Sequence, residues 1–104
     1  MQILIDRIRL LDPSHREAFI AWVKDVDYAA CRDLPSVLRF HVYEAAEGAD
    51  CDFFEIVQVS SLADFERDMQ LPLFRSLQAR FGRMATVASQ LAGVLVPPGF
   101  ERNA

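Results

Sequence analysis

A chain of 104 residues, 52% hydrophobic and 25% charged, reads as one globular domain around one core. Its net charge of −4 argues against nucleic acid, which needs a basic stripe. No run approaches the ~18 consecutive apolar residues of a membrane-spanning helix. Eight Phe residues are more apolar surface than so small a domain hides alone, which points to an oligomer.

Residues 2–10 read as a first strand. Asp12-Pro13-Ser14 then opens a helix, with Asp12 as cap and Pro13 at the first helical position, or with Ser14 capping toward Glu17. Phe19, Trp22, Val23 and Val26 follow at helical spacing as the buried stripe. Trp22 suits that core and also suits a ligand platform. Pro35 prevents the helix from resuming.

Segment 36–46 is the second strand. Its alternation puts Val37, Arg39, His41 and Tyr43 on one face and Leu38, Phe40 and Val42 on the other, the helix-facing one. Glu47-Gly48-Ala49-Asp50 is turn chemistry and makes a hairpin with a third strand at 52–60. Ser61-Leu62-Ala63-Asp64 caps a second helix with Leu62, Phe65 and Met69 inward. Pro72 divides this region, because it lacks a donor and clashes with the preceding turn. Phe74, Leu77 and Phe81 mark the second piece. Residues 85–96 form the last strand, and Pro97-Pro98 ends it.

The order strand, helix, strand, strand, helix, strand predicts an α+β fold, the ferredoxin-like βαββαβ sandwich. Right-handed crossovers put both helices on one face of an antiparallel sheet. The opposite face must pack on something, and a second copy of the chain is the simplest cover.

On these residues the chain resembles a known family. The broken helix Met69-Gln70-Leu71-Pro72-Leu73-Phe74 is similar to that of many dimeric α/β-barrel proteins. Arg39-Phe40-His41-Val42-Tyr43-Glu44, Asp52-Phe53-Phe54-Glu55-Ile56-Val57 and the stretch from Phe74 to Met84 resemble the RedY-like (HapK/PigK) group. The resemblance covers nearly the whole chain. It implies a homodimeric α/β barrel, in which two sheets close face to face around a cavity. It also implies an accessory role in prodigiosin (tripyrrole pigment) biosynthesis.

If the uncovered face lines such a cavity between the sheets, Arg39, His41, Tyr43 and Glu55 are candidates to converge there. His41 would be the acid/base, Glu55 or Tyr43 its partner, and Arg39 an anion binder. Phe53 and Trp22 would complete an apolar wall for a small aromatic or pyrrole-type ligand. The same row equally suits a polar network across a dimer or an exposed strand surface. Two functional classes follow. One is a cofactor-free enzyme, an isomerase or cyclase. The other is a non-catalytic helper that carries an intermediate or binds a biosynthetic enzyme.

Cys31 and Cys51 form no CxxC pair, and His15 and His41 have no ligand spacing. The expectation is therefore two reduced thiols, no metal and no cofactor. Asp6, Arg7 and Arg9 stand where a signal peptide needs apolar residues, which predicts a cytoplasmic protein.

Overall fold

A computed structural model describes residues 2–103. Strand β1 runs over Gln2–Leu10. Its alternation is a true two-sided pattern: Leu4, Asp6 and Ile8 are buried, while Arg7 and Arg9 are exposed. The Asp12 side chain then accepts from the Ser14 N–H at 2.9 Å, with Pro13 pre-set at the first position.

The first helical region is not uniform. A 3-10 turn at Pro13–His15 leads into α1 (Arg16–Trp22), then a π-helical turn over Val23–Asp27. A short α2 (Tyr28–Ala30) and a second 3-10 turn at Cys31–Asp33 close it. Strands β2 (Val37–Glu44) and β3 (Phe53–Val59) form the hairpin, and Gly48 supplies the positive φ of 87° in its loop.

Ser61 caps α3 (Leu62–Asp68), its hydroxyl accepting from the Asp64 N–H at 3.0 Å. Leu71 is extended, as a residue before proline prefers, so the chain leaves the helix and restarts at Pro72 as α4 (Pro72–Phe81). The predicted division at Pro72 is thus what the chain adopts. Strand β4 is Ala85–Val94.

The four strands are antiparallel in the order β2-β3-β1-β4. With the helices on one side, this is the ferredoxin-like α+β sandwich. The main buried cluster joins Ile8 and Phe53 of the sheet to Phe19, Trp22 and Leu77 of the helices. A smaller one gathers Leu4, Val57 and Val59. Asp68 ties α3 to the start of β2, accepting from both the backbone N–H and the hydroxyl of Ser36 in the interior.

One expectation about β2 fails for a local reason. The register shifts between Val37 and Arg39, so a bulge breaks the alternation there. Val37 turns inward and packs with the core, whereas Leu38 is 56% exposed. Phe40 and Val42 keep the helix-facing side that alternation predicts.

The other side of the sheet has no second layer among the described residues. Ile3 and Ile5 of β1, Phe54 and Ile56 of β3, and Leu91 of β4 lie there by register. They are half-buried or exposed.

Candidate functional site

The chain's large cavity, about 630 Å³, lies between the sheet and its own helices. The cavity that the barrel resemblance implies would instead lie on the open face, between two sheets. All four strands contribute to the observed cavity's floor. Leu4, Phe40, Val57, Phe65, Phe74 and Phe81 make much of its wall apolar. The broken helix matters here, since α3 and α4 each turn aromatic side chains into the same space, with Phe65 and Phe74 edge-to-face at 5.6 Å.

Across this apolar floor runs a polar row. Glu55 on β3 stands directly opposite Asp6 on β1, and Asp6 stands opposite Gln90 on β4. Directly paired residues on one face have β-carbons roughly 5 Å apart. The Gln90 side-chain amide donates to Asp6 Oδ1 at 2.8 Å, and Glu55 hydrogen-bonds the Asp6 side chain. Asp27 enters from the helical layer, with Cys31 beside it. Among the described residues that line the cavity there is no Lys, Arg or His.

Uncompensated burial controls the chemistry of these groups. Burial first, then the Asp6 hydrogen bond and the charges of Asp6 and Asp27, hold the Glu55 carboxyl well above the usual carboxylate range. Its surroundings therefore favour the neutral acid over the carboxylate. Burial pushes Asp27 up to about 6. Burial and the neighbouring acids push the Cys31 thiol up to about 11, so it is inert rather than nucleophilic. The indole N–H of Trp22, in the same wall, is buried and meets no acceptor among the described residues.

The π-helical turn explains why Trp22 and Asp27 share this wall. Five residues on an ordinary α-helix would separate them by roughly 140°. The wider turn over Val23–Asp27 brings both to the cavity.

The expected His41 constellation does not assemble within the chain. His41 pairs with Ile56 and Tyr43 with Phe54, while Glu55 pairs with Val42. Glu55 is thus on the helix-facing side, and Arg39, His41 and Tyr43 are exposed on the open side. The hairpin register is one residue away from the one that would have joined them, and one residue reverses a face. His41 lies beside Tyr43 with ring centroids 6.2 Å apart, and Tyr43 stacks on Phe54 at 5.1 Å.

Phe53 does not line this cavity either. It is 1% exposed, 4.8 Å from the Phe19 ring and under the Arg16 guanidinium, sealed in the core. Trp22 is both core and cavity wall. Asp6 and Asp27 were not among the expected site residues. Asp6 had a signal, since it shares the buried parity of Leu4 and Ile8. Asp27 had none, because a π-helical turn leaves no mark in a 3.6-residue pattern. Among the described residues no group of three or more His, Cys, Asp or Glu could hold a metal ion, and no helix is long and apolar enough to cross a membrane.

The family model for the REDY-like protein HapK matches residues 2–96. The chain belongs to that family. The crystal structure of HapK from Hahella chejuensis superposes on this HapK-family chain with a TM-score of 0.92 at 39% identity, covering 99% of this chain and 100% of that one. More distant structures share the fold alone. SnoaB, a cofactor-independent oxygenase from Streptomyces nogalater, matches at TM-score 0.69 and 15% identity over 93% of this chain and 97% of its own. An antibiotic biosynthesis monooxygenase matches at 0.72 and 13% over 93% and 100%. No curated protein matches the sequence.

Proposed function

We propose that this HapK-family protein is an accessory factor of secondary metabolism that takes a flat aromatic intermediate of a prodigiosin-type pathway into the cavity between its sheet and helices. The observation that carries this reading is an apolar cavity of about 630 Å³, walled by aromatics, with a buried acid row on its floor. Such volumes suit a ligand of two or three small rings. A domain gains nothing in stability by keeping acids in an apolar cavity, so they fit a binding task better than a packing one.

Trp22 is the single Trp of the chain and stands in the cavity wall, so its fluorescence reports occupancy directly. Titration with a bipyrrole should quench it saturably. Loss of the chain from a pigment-producing host should lower pigment, and the gene supplied in trans should restore it. A flat titration together with unchanged pigment would refute the proposal.

The open sheet face fits a second copy of the chain. Ile5 sits at its centre, opposite Ile56 on one side and Leu91 on the other. Arg39, His41 and Tyr43 would then lie in or beside the contact as polar partners. A dimer of this kind should bury about 2,000 Å² or more. Sedimentation at micromolar concentration should give a dimer, and Ile5→Glu should give a monomer. A wild-type monomer would discard the dimer.

A further inference from the structure

We propose that Asp27 and Glu55, from opposite walls of the cavity, read the N–H groups of a heteroaromatic ligand, while the Trp22 indole N–H donates to an oxygen of the same ligand. This deepens the binding role proposed above and rests on it.

Three observations converge. The first is a mismatch of partners inside the chain. Asp6 is satisfied by Gln90 and Glu55. Asp27 has only burial acting on it, with no hydrogen bond or cation to compensate. The second is Trp22, 7% exposed, whose indole N–H has no acceptor among the described residues. Buried donors and acceptors are rarely left unmade. One orphan donor just before the π-helical turn and one orphan acceptor at its end, both lining one cavity, describe the complement of a ligand that carries both.

The third observation is the sign of the site. With carboxyls and no cation in its described lining, the cavity disfavours anionic ligands. It favours N–H donors, which approach an acid without repulsion. Glu55, whose neutral form its surroundings favour, still offers an acceptor oxygen while its proton serves Asp6. The aromatic side chains of Phe65, Phe74 and Phe81 supply faces for flat rings.

The titratable groups facing Asp27 are Glu55 and Asp6 from the sheet, Cys31 from its own helical region and Glu66 from α3. None of them can carry a positive charge, so none supplies a compensating cation. Ionised Asp27 is the stronger acceptor, so N–H ligand affinity should rise as pH passes upward through about 6.

The test uses the intact chain and calorimetric titration with two probes of the same shape, 5-acetyl-2,2′-bipyrrole and 5-acetyl-2,2′-bifuran. They share the ketone oxygen and differ in the N–H groups. The bipyrrole should bind at least about tenfold more tightly at pH 7.5. Asp27→Asn and Glu55→Met should each remove most of that preference while leaving bifuran affinity within about twofold, whereas Glu55→Gln, which keeps an acceptor oxygen and a donor to Asp6, should retain it. Trp22→Phe should weaken both probes alike. The bipyrrole preference should shrink at pH 5 in the wild type and stay constant with pH in Asp27→Asn. Equal binding of the two probes by the wild type would overturn the inference while leaving the cavity as a binding site. Binding of neither would overturn both.

Discussion

Phe19→Ala should cost about 3–5 kcal/mol of folding free energy, read as a lower urea midpoint at unchanged slope. Phe19 is 1% exposed and joins three elements. Its ring lies 4.8 Å from Phe53 on β3, 5.9 Å from Phe81 on α4 and 6.2 Å from Trp22 on its own helix. Removing it leaves a void that rigid neighbours on both layers cannot fill, so transfer and cavity terms add. Phe40→Ala provides the contrast. Phe40 is half-buried and borders space that is already open, with Tyr28 edge-to-face at 5.5 Å on its other side. Its loss should cost about half as much. Equal losses at the two positions would mean that the cavity beside Phe40 closes in solution.

The fold was legible because local signals agreed with one another. Asp12-Pro13-Ser14, Ser61 with Asp64, the turn at Gly48 and the break at Pro72 each fix an element boundary by backbone chemistry that involves few other residues. What sequence could not supply was the phase between neighbouring strands. Alternation within β3 pairs Phe53, Glu55, Val57 and Val59 correctly, but whether that set faces His41 or Phe40 depends on the hairpin register. The register depends on how the loop between Glu44 and Phe53 is spaced. The bulge at Val37/Arg39 then upset the inward set of β2 itself. A candidate site built from side chains on two strands inherits both uncertainties, and the expected His41–Glu55 couple fell to the first of them. The π-helical turn is a third case. It places Asp27 by a backbone irregularity that no residue in Val23–Asp27 announces.

The acids of the cavity should make the protein less stable as pH rises, and removing one should show it. The sign follows from the folded pKa of Asp27, about 6 against an ordinary value of 3.8. Between these values the native chain holds a proton that the unfolded chain has released. Stability therefore falls across that window as pH increases, and the loss is complete above about 6. The shift corresponds to roughly 2 kcal/mol once residual solvent contact is allowed for. Asp27→Asn removes the charge and keeps the shape. The variant should match the wild type below pH 4, gain on it between 4 and 6, and hold a constant advantage of about 2 kcal/mol at pH 7 and above. Glu55 acts in the same direction, its neutral form being the one the fold favours. Asp12 and Asp64 act oppositely, since hydrogen bonds from Ser14 to Asp12 and from the Ser60 hydroxyl to Asp64 lower them, but they are present in both proteins, so the difference curve cancels them. Urea unfolding of both proteins at pH 3.5, 5 and 7.5 measures the curve. A variant no more stable than the wild type at pH 7.5 would show that Asp27 is solvated in solution. A gain that comes with loss of bipyrrole binding would identify the buried acid as stability given up for ligand recognition.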